Sequence, residues 1–114
     1  MEYNLGGNKM ANVINAQDFV KNVKENDGIA VVDFFATWCG PCNMLGPVFA
    51  EIAEEQKDSA YFAKVDVDQS MELAQEFGVS TVPTVVFFKG GKEVSREIGF
   101  MPKEKIESIV AGLK

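Results

Sequence analysis

The sequence of 114 residues contains no histidine. This absence excludes catalytic triads with a histidine base, Cys-His nucleophiles, and zinc or haem sites with histidine ligands built from this chain alone. Cysteine is almost as scarce, since Cys39 and Cys42 are the only two. A zinc site would therefore need carboxylates or a second chain to complete its four ligands.

Long apolar runs and excess positive charge are also missing. The longest apolar stretch, Ile29 to Cys39, is interrupted by Asp33 and is shorter than the roughly 20 residues that a membrane helix needs. The segment 1–9 lacks the basic start and apolar run of a secretory signal, so we expect a cytoplasmic protein. With 11 basic against 17 acidic residues, the net charge of −6 repels phosphate backbones. We expect neither a nucleic-acid nor a membrane partner.

The composition that remains is that of an ordinary globular domain. Apolar residues make up 46% of the chain and charged residues 25%, and no repeat or Pro/Ser-rich linker divides it. We therefore predict a single folded domain over residues 10–114, preceded by a frayed tail over residues 1–9.

The apolar pattern predicts alternating strands and helices. The stretch Ile29 to Phe35 is almost continuously apolar, which is typical of a central strand covered on both faces. Helices are predicted after Asn15, after Pro41, after Asp68 or Ser70, and from Pro102. Further strands are predicted at 60–66, 84–88 and 93–98, and a short strand near Val13-Ile14. Gly90 and Gly91 suit a tight hairpin turn. A βαβ half followed by a ββα half indicates the α/β class, with a mixed sheet and helices on both faces.

The two cysteines lie three residues apart in Trp38-Cys39-Gly40-Pro41-Cys42, at the junction of the central strand and the next helix. Residues at this spacing lie on one side of the first helical turn, so the two sulfurs can form a disulfide with little backbone movement. A cytosolic C-x-x-C motif beside a βαβ pattern is a known indication of redox chemistry. A metal site completed by other groups and a permanently closed structural disulfide stay open as alternatives.

The position of each cysteine relative to the helix should give the two sulfurs different reactivities. Cys39 precedes the helix, where free N–H groups and the positive end of the helix dipole stabilise a thiolate, whereas Cys42 should be more covered. We therefore predict that Cys39 attacks a substrate disulfide and that Cys42 resolves the mixed disulfide. Asp33 lies in the most apolar strand, where burial would raise its pKa and suit it to accept a proton from Cys42.

The segment from Asp33 to Cys42, with Val82-Pro83-Thr84 and Gly99 downstream, closely resembles the thioredoxins. This resemblance implies the thioredoxin fold and general reduction of protein disulfides without a bound cofactor or metal. Electrons would come from a thioredoxin reductase, either an NADPH-linked flavoprotein or a ferredoxin-linked enzyme. The partners would be disulfide-containing client proteins, and we expect a monomer.

The resemblance also implies roles for individual residues. Asp33 would move the proton and Lys64 would be the cation near that acid. The Val82-Pro83 bond would be cis and face the cysteines, beside an apolar rim that docks an extended client segment. The rim residues would be Trp38, Gly40, Pro41, Val82, Pro83, Gly99 and Phe100.

Three positions depart from the family pattern. Asn43 stands where many thioredoxins carry a cation, Phe35 where tryptophan is common, and Phe100 where a small residue is common. None of these changes removes a reactive group. Two rival functions remain: a binding module in which the cysteines are incidental, and an oxidase or isomerase with a less stable disulfide.

Overall fold

The computed structural model describes residues 11–114, and the predicted tail over residues 1–9 lies outside this range. Strands and helices alternate along the described chain until a final β-hairpin and helix. The elements are β1 (Asn12–Val13), α1 (Ala16–Phe19, continued by a π-helical turn Val20–Lys24), β2 (Ile29–Phe35), α2 (Gly40–Glu55), β3 (Tyr61–Asp66), α3 (Met71–Glu76), β4 (Thr84–Lys89), β5 (Lys92–Ile98) and α4 (Lys103–Leu113).

The five strands form one mixed sheet in the order β1-β3-β2-β4-β5. The β1-β3 and β3-β2 pairs are parallel, whereas the β2-β4 and β4-β5 pairs are antiparallel. All seven residues of β2 are buried, as the continuous apolar run predicts for a strand in the middle of the sheet.

Helices cover both faces of the sheet, which confirms the predicted α/β class. On one face, Leu45 and Phe49 of α2 and Ile106 of α4 pack on β2, β3 and β4. On the other face, Phe19 of α1 and Leu73 of α3 pack on the alternate residues of the same strands. Because side chains alternate along a strand, each central strand supplies both cores.

Local sequence explains most of the element ends. Asn15 caps α1 by accepting a hydrogen bond from the Asp18 amide at 2.8 Å. Ser70 takes the cap position of α3, but its side chain makes no capping hydrogen bond. The first strand is found one residue earlier than the predicted Val13-Ile14, because the β3 pairing begins at Asn12.

The β4-β5 turn is the predicted glycine hairpin. Gly90 and Gly91 both have positive φ, at 62° and 81°, as a two-residue type I′ turn requires. The Gly90 amide also donates a hydrogen bond to the Gly28 carbonyl at 3.0 Å. The turn is therefore anchored against the loop that precedes β2.

Candidate active site

The cysteine pair lies where β2 gives way to α2. Cys39 is the N-cap of α2 with extended backbone (φ −93°, ψ 117°), and Pro41 occupies the first turn. The Cα atoms of Cys39 and Cys42 are 5.2 Å apart, and their sulfurs form a disulfide. The prediction that the first helical turn brings both sulfurs within bonding reach is confirmed.

The two cysteines do not differ in exposure as expected. Cys39 is 5% exposed and Cys42 is 4% exposed, because Cys39 is covered by the loop that carries Val82. What separates them is hydrogen bonding: Cys39 Sγ accepts from the Cys42 amide at 3.2 Å. Cys39 Sγ also lies 3.6 Å from the Val82 carbonyl oxygen. The sulfur of Cys39 is therefore the one that receives a donor at the helix N-terminus.

Asp33 is the central buried acid of the site. It is 0% exposed, and neither of its carboxylate oxygens has a hydrogen-bond partner among residues 11–114. Burial raises its pKa to about 7, although the positive charge of Lys64 opposes this rise. The expectation of a desolvated carboxylate in this strand is confirmed. Asp33 lies on the sheet face that α2 covers. Side chains two residues apart on a strand face the same side, and Val31, two residues before Asp33, packs in the core under α2.

Lys64 lies directly across from Asp33 in the parallel β2-β3 register. It is half-buried rather than an exposed strand lysine. Its Nζ is 4.3 Å from the centroid of the Phe35 ring, further along β2. A Cβ on Gly46 of α2 would lie 3.9 Å from the same Nζ, so the ammonium reaches beneath that helix.

The structure brings the second predicted segment to the cysteines. The Val82-Pro83 bond is cis, as the resemblance implies, and Val82 packs on the cluster of Phe35, Ala36, Cys39 and Cys42. The Gly99 amide donates to the Pro83 carbonyl at 2.7 Å, so the end of β5 lies beside this loop.

The predicted rim residues differ in exposure. Trp38 is 72% exposed and Phe100 is 44% exposed, so neither is a core aromatic. Pro83 is buried beneath the rim, and the remaining rim residues, Gly40, Pro41, Val82 and Gly99, are exposed or half-buried.

Sequence reasoning missed the role of Asp68. The Trp38 indole Nε1 donates to Asp68 Oδ2 at 2.8 Å, across 30 residues of sequence. Asp68 is itself placed by a turn in which Asp66 Oδ1 accepts from the Asp68 amide at 2.9 Å. The sequence shows only an acid after β3, a position that suits helix capping. Nothing local indicates its pairing with the indole.

Within residues 11–114, no group of three or more cysteine or acidic side chains could hold a metal ion. None of the helices in that range has the length and apolar character needed to cross a membrane. An open cleft of about 520 Å³ lies at the start of β2 and β3, at the opposite end of the sheet from the cysteines. The reactive pair lies outside this cleft, next to the exposed residues Trp38, Gly40 and Pro41.

Comparison with known proteins agrees with this geometry. The Thioredoxin family model matches residues 10–112. A thioredoxin of Mycoplasmoides gallisepticum is 49% identical over 80 residues, covering 70% of this chain and 79% of that protein. Thioredoxin-2 of Saccharomyces cerevisiae is 42% identical over 98 residues, covering 86% and 93% respectively.

Solved structures agree as well. The crystal structure of Malassezia sympodialis thioredoxin has 40% identity and a TM-score of 0.80, covering 89% of this chain and 88% of that one. A mutant thioredoxin from Halobacterium salinarum has 34% identity and a TM-score of 0.81, with the same coverage. The chain therefore belongs to the thioredoxin family of protein-disulfide oxidoreductases, with Cys39 and Cys42 as its redox-active pair.

Proposed function

We propose that Cys39 attacks the client disulfide, that Cys42 resolves the mixed disulfide, and that Asp33 accepts the Cys42 proton. The observation that carries this proposal is the position of the cysteine pair. It caps a helix on the sheet face that also buries an unpartnered carboxylate. A helix N-terminus favours a thiolate, and a carboxylate with a pKa of about 7 can exchange a proton at neutral pH.

The cycle balances with two electrons and no bound cofactor. The Cys39 thiolate forms a bond to one client sulfur, and the other client sulfur leaves as a thiolate. Cys42 then gives its proton to Asp33, and its thiolate attacks Cys39 Sγ. The client sulfur that was bonded to Cys39 leaves as a thiolate, and the Cys39–Cys42 disulfide remains. The client has gained two electrons, and its two thiolates take up protons from solvent and from Asp33.

Hydrogen bonding supports Cys39 as the attacking group. In the reduced protein the Cys42 amide, 3.2 Å from Cys39 Sγ in the disulfide form, is placed to donate to a Cys39 thiolate. Cys42 lies within the first turn of α2, on the side that faces the sheet, and is 4% exposed. A thiol in that position needs a buried base, and Asp33 lies on the same face of the sheet.

The open surface around the cysteines supports a docking role for the rim. An extended client segment would add to the backbone of Val82, whose carbonyl already lies beside Cys39 Sγ. Trp38 and Phe100 offer exposed apolar area on either side, and Asp68 fixes the Trp38 indole. Each client disulfide would thereby be held with one sulfur in line with Cys39.

A separate reductase must return the pair to the dithiol form, because each turnover leaves Cys39 and Cys42 joined as a disulfide. We propose a thioredoxin reductase, NADPH-linked or ferredoxin-linked, as this partner, and disulfide-containing proteins of the cytoplasm as clients. Incubating the oxidised protein with each reductase and its electron donor, and then counting free thiols, distinguishes the two supplies.

The matched variants Cys39→Ser and Cys42→Ser test the division of labour. Each variant removes one sulfur at nearly constant shape. When the reduced proteins are mixed with a disulfide-containing client, Cys42→Ser should accumulate a mixed disulfide, and Cys39→Ser should not. Denaturing electrophoresis without reductant measures the adduct. A Cys39→Ser variant that traps clients, or that reduces them at the wild-type rate, would contradict the proposal.

A further inference from the structure

The ammonium of Lys64 has two neighbours within reach, and it contacts only one of them. Asp33 lies directly across the β2-β3 pair, and Phe35 lies two residues further along β2, on the same side of the sheet. Lys64 Nζ is 4.3 Å from the Phe35 ring centroid, well within the distance of a cation–π contact. Within the part of the chain that the structure describes, both oxygens of Asp33 are left without a hydrogen-bond partner.

We propose that Phe35 is a positioning residue, whose ring face holds the Lys64 ammonium beside the Asp33 carboxylate and prevents a direct ion pair between them. This inference rests on the proposed function of Asp33 as the proton acceptor. A carboxylate in a direct ion pair would keep its charge and bind the Cys42 proton weakly. A carboxylate that lies near a cation without pairing with it can still accept the Cys42 proton.

Phe35 is placed to affect both the lysine and the reacting sulfurs. It is 9% exposed and packs in one cluster with Cys39 and Cys42. The same ring therefore packs against the cysteine pair and contacts the ammonium of Lys64. The ammonium also lies beside Gly46 of α2, since a Cβ at that position would be 3.9 Å from Lys64 Nζ.

Besides Asp33, one other acid in the β2-β3 register lies close to this ammonium, namely Asp66. On its own strand, Asp66 lies two residues further on, and its Oδ1 already accepts from the Asp68 amide. The adjacent position on β1 is Val13, which carries no charge. On α2, Gly46 lies beside the ammonium and carries no charge. Among these neighbours, the ammonium contacts the Phe35 ring.

The test replaces the ring by a side chain of similar volume that has no aromatic face. In Phe35→Met, and in Phe35→Leu as a second variant, Lys64 should pair with Asp33. The titration midpoint of Asp33, followed by carboxyl-carbon NMR in the oxidised protein, should fall by about one pH unit or more. Phe35→Trp retains a ring face and should keep the wild-type midpoint.

A double-variant cycle separates this effect from a change in packing. In Lys64→Met no ammonium is present, so adding Phe35→Met should leave the Asp33 midpoint where Lys64→Met alone places it. An equal shift in both backgrounds would show that Phe35 acts independently of Lys64 and would overturn the proposal. An unchanged midpoint in the Phe35→Met single variant would overturn it as well.

The kinetic consequence is measured on one isolated step. In protein whose Cys39 is joined to thionitrobenzoate by a mixed disulfide and whose Cys42 is a free thiol, attack of Cys42 on Cys39 Sγ releases the coloured thiolate. In Phe35→Met the pH profile of this release should move to lower pH together with the Asp33 titration, and Phe35→Trp should restore it. If Asp33→Asn releases thionitrobenzoate with the wild-type pH profile, the proposed proton transfer is wrong. The Asp33 titration still tests the placement of Lys64 in that case.

Discussion

Replacing Asp33 by asparagine should change how the stability of the oxidised protein depends on pH. In the folded protein, burial raises the pKa of this carboxyl from its usual 3.8 to about 7. Between these two pH values the folded state holds a proton that the unfolded chain has released. The free energy of unfolding therefore falls as pH rises, by about 1.4 kcal/mol per pH unit.

The full effect follows from the size of the pKa rise. A pKa raised from 3.8 to about 7 corresponds to about 4 kcal/mol of stability lost between about pH 4 and pH 8. Asparagine cannot ionise, so Asp33→Asn should gain about 4 kcal/mol relative to wild type across that range. Any constant cost of burying the amide cancels when the two pH values are compared.

Urea unfolding followed by circular dichroism, at intervals from about pH 4 to pH 8, measures this difference. The oxidised form is used because disulfide-bonded cysteines do not titrate. Asp58→Asn is the matched control, since it makes the same chemical change at an exposed aspartate. Parallel curves for wild type and Asp33→Asn would refute the reasoning.

Two further pairs of substitutions test the packing around β5. Gly91→Ala should cost more than about 2 kcal/mol, because a Cβ would overlap the Lys24 carbonyl, whereas Gly90→Ala should lose only about 1 kcal/mol to its positive φ. Equal urea midpoints would contradict this contrast. The Arg96 guanidinium donates two hydrogen bonds to the Glu93 carboxylate, at 2.6 and 2.8 Å, and one to a carbonyl at the end of α3. Arg96→Gln should therefore lower the free energy of unfolding by about 1 to 2 kcal/mol. Arg96→Lys should recover only part of this loss, and complete recovery would show that the fork geometry adds nothing.

The parts of the fold that were predictable depend on local pattern. The continuous apolar run of β2 indicates burial on both faces, and the position of Pro41 indicates where α2 begins. Both inferences use only the geometry of one element and its immediate neighbours in sequence. The π-helical turn that extends α1 has no comparable local signal, although its Val23 is buried in the core.

The parts of the site that were not predictable depend on side chains meeting across distant segments. Trp38 pairs with Asp68 only because the β3-α3 turn lies beside the β2-α2 junction. The equal cover of Cys39 and Cys42 arises because the Val82 loop folds over the first cysteine. Lys64 was expected near Asp33, but the sequence does not reveal that its ammonium rests on the ring of a neighbouring phenylalanine. Spacing and composition constrain neither the direction of a long side chain nor the contacts of a loop.

Trp38 is the only tryptophan in the chain, it is mostly exposed, and it immediately precedes Cys39. The protein therefore carries a single indole fluorophore beside the bond that it makes and breaks. Disulfides quench indole emission by accepting an electron from the excited ring, so opening the bond should brighten the protein. The progress of each turnover can be read as a change in ultraviolet fluorescence, with no dye attached.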